Sequence, residues 1–124
     1  MIITYQGGNY FKIQSGELAI LIDPDNQRSY RGTQVIVNTI KPALAEAPEA
    51  GEGQPIWIEN AGEYEVKGIR IRGFNAGYSE KEKRTHTAYR ILFDDVSIVV
   101  LGYLTDVVSP EIASELSDAD VAIV

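Results

Sequence analysis

Short blocks in which polar and apolar residues alternate, or apolar residues run together, open the chain. Residues 2–6 (Ile-Ile-Thr-Tyr-Gln), 10–14 (Tyr-Phe-Lys-Ile-Gln) and 17–23 (Glu-Leu-Ala-Ile-Leu-Ile-Asp) predict three successive strands. Gly7-Gly8-Asn9 and Ser15-Gly16 fall between them, where tight turns call for residues that tolerate positive φ. Asp23-Pro24-Asp25 ends the third strand, because proline offers no amide to a ladder. A fourth strand is expected at 34–38 (Gln-Val-Ile-Val-Asn). Pro42 to Gly53, rich in Ala, Glu, Pro and Gly, then reads as a loop with room for one short helical turn.

Further along, 55–58 (Pro-Ile-Trp-Ile) predicts a strand that Asn60-Ala61-Gly62 interrupts. Tyr64-Glu65-Val66 and Ile69-Arg70-Ile71-Arg72 alternate cleanly on either side of Lys67-Gly68, a two-residue hairpin signature. Residues 74–86 are polar and contain glycine, and read as a mobile loop. Strands follow at 87–93 and 96–101, with Asp94-Asp95 turning between them. Ser109 as N-cap, Pro110 at the first helical position and apolar Ile112, Ala113 and Leu116 predict one helix at about 109–117, which Asp118-Ala119-Asp120 stops. Val121-Ala122-Ile123-Val124 is an apolar run of the kind expected of a strand buried on both faces. The fold class expected from this pattern is α+β and strand-rich, a mixed or largely antiparallel sheet with one late helix.

At 124 residues with 44% hydrophobic positions, the chain is expected to form a single domain over 1–124, burying roughly two-thirds of its unfolded surface. No apolar run approaches the roughly 18 residues of a spanning helix, and no charged leader precedes an apolar stretch, so a cytoplasmic protein without a membrane partner is expected. The absence of cysteine excludes disulfides and thiolate metal sites. Eighteen acids against eleven bases give a net charge of −7, which repels nucleic acid unless the bases cluster. Lys81, Lys83 and Arg84 are interleaved with Glu80 and Glu82, which reads as a solvated loop rather than an anion site.

Four stretches carry a more specific pattern. They are Ile3-Thr4-Tyr5-Gln6-Gly7-Gly8-Asn9-Tyr10-Phe11-Lys12-Ile13 continuing to Ala19-Ile20-Leu21-Ile22-Asp23-Pro24; Asn60-Ala61-Gly62-Glu63-Tyr64-Glu65-Val66-Lys67-Gly68-Ile69; Thr87-Ala88-Tyr89-Arg90-Ile91; and Val99-Val100-Leu101-Gly102-Tyr103-Leu104. In this order they resemble the metallo-β-lactamase-fold hydrolases of the ascorbate-phosphate-lactonase-like branch, and the Gly-Glu-Tyr-Glu-Val hairpin is the most specific match. The resemblance implies the N-terminal half of a four-layer αββα sandwich, one layer pair of it. In the family, the strand matching Val35 to Asn38 runs into a Thr-His-x-His-x-Asp-His motif that binds zinc. Here those ligand positions carry Thr39, Lys41, Ala43 and Leu44. The family's turn histidine falls near Gly7, the histidine before Leu-Gly is Val100, the bridging aspartate is Tyr103, and a later histidine falls near Gly77 or Tyr78. Zinc needs three or four N, O or S ligands, and this set does not supply them.

No catalytic residue, metal ligand or cofactor is therefore expected. Thr39, Lys41, Tyr78 and Tyr103 are the candidates to line what remains of the site. The lone His86 reads as structural or surface, Glu63 with Glu65 as solvent-facing opposite Tyr64, and Asp94 with Asp95 as turn residues. Gly7-Gly8-Asn9 reads as a tight turn rather than an anion nest. A lone half of the sandwich would expose an apolar sheet face larger than soluble monomers tolerate. The leading expectation is a metal-free binding or assembly module, a homodimer in which two copies pack sheet to sheet. The alternatives are a residual metal-dependent hydrolase or lactonase, and one half of a split hydrolase completed by a complementary half-domain.

Overall fold

A computed structural model describes residues 1–25, 30, 32–43, 45, 54–102 and 109–123. The elements run β1 (Ile2–Gly7), β2 (Tyr10–Ser15), β3 (Leu18–Ile22), β4 (Val35–Val37), β5 (Ile40–Lys41), β6 (Ile56–Ile58), β7 (Gly62–Val66), β8 (Ile69–Ser79), β9 (Arg84–Phe93), β10 (Val96–Val100), α1 (Pro110–Ser117) and β11 (Val121–Ile123). They form two sheets. The first has the order β1-β2-β3-β4-β6, and the second β11-β10-β9-β8-β7, with β5 added alongside β9. In the first sheet β1, β2 and β3 are antiparallel, whereas β3, β4 and β6 are parallel. The second sheet is antiparallel except for β11, which joins β10 in parallel.

The sheets face each other across one hydrophobic core. Ile13, Ile20, Ile22, Val35, Val37 and Ile58 of the first sheet pack with Ile71, Tyr89, Ile91, Ile98 and Val100 of the second. The alternation of the strands explains this division, since every second residue of a strand faces the same way. On the far side of the second sheet, Phe74, Ala88, Val99 and Leu101 are covered by Ile112 of α1, with Leu116 and Ala119 beside it. The order of layers is therefore sheet, sheet, helix, matching the strand-rich fold with one late helix. The apolar face that a lone half was expected to leave bare is covered within this chain, because both inner sheet faces belong to it.

The local signals act as their chemistry requires. The Ser109 hydroxyl accepts from the Ile112 amide and Pro110 follows it, so α1 begins where the cap and the preset φ of proline place it. Lys67 and Gly68 both have positive φ in the β7–β8 turn, as do Asp94 and Asp95 between β9 and β10. Glu63 and Glu65 face solvent and pair with Arg72 and Arg70, with Tyr64 half-buried between them. Among the described residues, no helix is long and apolar enough to cross a membrane.

Two segments differ from the sequence expectation. The polar stretch 74–86 is not a loop: β8 runs to Ser79 and β9 starts at Arg84, leaving only a short turn. Its polar residues lie on strands wetted on at least one face, and a bulge between Asn75 and Gly77 interrupts the alternation that would have revealed them. The Asn75 side chain braces that bulge by accepting from the Gly77 amide at 2.9 Å. The final apolar run is likewise not buried on both faces, since β11 is an edge strand with Ile123 in the core and Ala122 exposed.

Candidate functional site

Parallel strands deliver the residues that follow them to one end of a sheet, which is where α/β folds place their sites. β3, β4 and β6 lie side by side in register, so Asp23, Asn38 and Glu59 emerge together. Immediately after Asn38 the chain leaves the first sheet and joins the second through β5, whose Ile40 and Lys41 pair with His86 and Thr85. Thr39 is the corner between the sheets.

That corner is buried, and among its side chains the Asn38 Oδ1 has no hydrogen-bond partner among the described residues. The Asp23 carboxylate accepts from the Thr39 amide through Oδ1 at 2.7 Å and from the Thr39 hydroxyl through Oδ2. The Asp23 amide donates to the Val37 carbonyl, and the Thr39 carbonyl accepts from the Thr87 amide at 2.8 Å. The buried Tyr89 hydroxyl donates to the Asn38 carbonyl at 2.8 Å, and the Asn38 side-chain amide donates to Glu59 at 3.1 Å. From the second sheet, Gly102 presses on the same spot: a Cβ there would stand 2.2 Å from the Thr39 Oγ1 and 2.4 Å from its Cβ. Only glycine fits this approach, and its φ of +67° is one that glycine adopts freely.

Burial pushes the Asp23 carboxyl up to about 6, against the two Thr39 hydrogen bonds that favour its ionised form. Between the ordinary value of 3.8 and about 6, the folded chain holds a proton that the unfolded chain has released. The contribution of this group to stability is therefore full below about pH 4 and lost as pH rises through about 6. Urea unfolding of the wild type and of Asp23→Asn should show the variant gaining about 2–3 kcal/mol relative to wild type between about pH 4 and pH 7. A gap between the two that stays constant with pH would show that Asp23 titrates normally.

The candidates from the sequence are placed as follows. Thr39 is buried in the corner. Lys41 and Tyr78 are exposed and flank Thr85 from either side, one on β5 and one on β8, so the three share a rung and a face. Thr39 does not share that rung. Ala43 brings no donor atom, Val100 is buried in the core, Gly7 is in a turn, and Leu44 and Tyr103 lie outside the described residues. His86 is buried in β9, its Nδ1 without a hydrogen-bond partner among the described residues. Sequence reasoning missed Asp23 as a site residue, and with it Asn38 and Gly102. The signal available was an acid directly after the apolar block of β3, where a carboxylate is costly to bury without donors.

The zinc that the resemblance implies does not fit these residues. The corner offers two carboxylates, Asp23 already committed to Thr39 and Glu59 to the Asn38 side-chain amide, and otherwise hydroxyl, amide and carbonyl groups. Among the described residues, no group of three or more His, Cys, Asp or Glu could hold a metal ion. A shallow depression of about 460 Å³ lies elsewhere, on the helix-bearing face of the second sheet. Its Arg70, Arg72 and Arg90 are paired with Glu65, Glu63 and Glu115, an ion-pair ladder with no unmatched charge to offer a ligand.

Solved structures share the fold of this chain. A candidate Zn-dependent hydrolase of the metallo-β-lactamase superfamily from Thermotoga maritima superposes with a TM-score of 0.76 and 21% identity, over 97% of this chain and 58% of that one. The metallo-β-lactamase fold protein YhfI from Bacillus subtilis superposes with a TM-score of 0.52 and 10% identity, over 75% of this chain and 54% of that one. The chain thus spans little more than half the length of these neighbours, and the likeness is one of fold. No curated protein matches it in sequence. The family model of the β-lactamase superfamily domain matches residues 2–124, and the chain belongs to that family.

Proposed function

We propose that this chain is a metal-free member of its family that acts by binding and assembly, with a second copy of itself as the partner. The observation that carries the reading is the state of Thr39. It stands where the resemblance places a zinc ligand, and its side chain is spent on Asp23 and packed against Gly102. Refilling a ligand position with a structural hydrogen bond removes the first requirement of metal hydrolysis while keeping the sandwich rigid. The inner sheet faces are already packed on each other, so association falls to surfaces outside the core.

The second reading is a metal-dependent hydrolase, favoured by the description of the Thermotoga maritima neighbour. Equilibrium dialysis against zinc separates the two. The expected result is a chain that retains no stoichiometric zinc and a light-scattering mass twice the 13.7 kDa of one copy. One retained equivalent, with chelator-sensitive turnover of a phosphodiester or lactone, would replace this reading with the hydrolase. A larger complex with a different chain would identify a complementary half-domain as the partner.

A further inference from the structure

We propose that the partner copy docks on the free edge of β1, pairing β1 with β1 antiparallel about Thr4; this rests on the assembly reading above. An edge strand presents unpaired amides and carbonyls to any strand that can approach, and proteins ordinarily blunt such edges with charge. The segment Ile2–Gly7 carries no Asp, Glu, Lys, Arg or His, and Ile2 to Gln6 are all exposed, with Ile2 at 64% and Tyr5 at 62%. The other edges are guarded, short or, in residues 74–79 of β8 beyond its pairing with β7, broken by the bulge between Asn75 and Gly77. β7 bears Glu63 and Glu65, β6 has three residues and runs into Glu59, and β11 has three residues that follow Asp118 and Asp120. For a chain of net charge −7, two copies repel wherever charged surfaces meet, so an uncharged edge is where they can approach.

The side chains fix the register. Ile3 and Tyr5 pair with Ile13 and Phe11 of β2, so they lie on the core-facing side of the sheet, while Ile2 and Thr4 lie on the outer side. A two-fold axis normal to the sheet keeps these sides matched only if a residue faces its own copy. Pairing about Thr4 sets Thr4 against Thr4 and each Ile3 against the Tyr5 of the other copy, a hydroxyl pair and two aromatic to β-branched pairs of the favourable cross-strand kinds. The first sheet then continues across the axis, and its apolar inner side extends with it.

Thr4 is exposed, so charge can be placed there without disturbing the core, and Thr4→Glu would sit beside Lys12, its partner on β2. Light scattering should give twice the 13.7 kDa chain mass for the wild type and the single-chain mass for Thr4→Lys and Thr4→Glu alone. An equimolar mixture of the two variants should regain the doubled mass, because only a Thr4-centred register puts lysine opposite glutamate. Circular dichroism matching the wild type confirms that both variants are folded. A wild-type dimer left intact by Thr4→Lys, or a mixture that stays monomeric, overturns the β1 pairing and leaves the assembly reading standing. A monomeric wild type overturns the assembly reading itself.

Discussion

Gly102→Ala is expected to lower the unfolding free energy by about 2–4 kcal/mol, measured by urea denaturation at fixed pH. Two costs add. The alanine must adopt the left-handed φ of +67°, and its methyl must displace the Thr39 side chain, whose Oγ1 and Cβ would stand 2.2 and 2.4 Å away. Thr39 has nowhere to go, because its hydroxyl and amide are held by Asp23 and its carbonyl by Thr87. Gly68→Ala separates the two costs. Its φ is +84° with nothing within 4 Å of the added methyl, so it should cost only the backbone strain of about 1–2 kcal/mol. Equal losses in the two variants would mean that the approach of Gly102 to Thr39 is looser than the geometry described above.

Asp23→Ala is expected to cost about 2–4 kcal/mol at neutral pH, while Asp23→Asn costs little or stabilises. Alanine leaves the buried Thr39 amide without an acceptor and its hydroxyl without a partner. Asparagine retains an oxygen for the amide, presents an NH₂ group to which the hydroxyl can turn its lone pairs, and no longer has to bury a charge. The same pair of variants distinguishes hydrogen bonding from charge. If alanine and asparagine are equally damaging, the carboxylate matters through its charge, and the corner would need a cation not seen among its neighbours. Denaturant midpoints with unchanged slopes are the measurement.

Much of the fold could be read from local chemistry, because the elements concerned are specified by residues next to one another. Ser109-Pro110 sets the start of α1, Lys67-Gly68 sets the β7–β8 turn, and Asp94-Asp95 sets the next. What escaped was set by distance. β5 has only two residues and no period to recognise, and the strands continuing through 74–86 hide behind a bulge. The corner is assembled across the chain: Asp23 meets Thr39 sixteen positions on, and Tyr89 reaches an Asn38 carbonyl 51 positions before it. That Thr39 stands where the resemblance places a zinc ligand could be read from the sequence. Its bonding to Asp23 could not, since a threonine says nothing about which carboxylate it will meet.

The corner at Thr39 has a dynamic consequence. Its amide and hydroxyl are tethered to the first sheet through Asp23, and its carbonyl to the second through Thr87, so one peptide segment is stitched to both layers. A fluctuation that peels β9 away from β5 pulls on the end of β3, and one that frays β3 loosens β9. Deuterium uptake at the Thr39 and Thr87 amides therefore reports the parting of the two layers rather than the breathing of either, and this seam is where the protein ties its motions together.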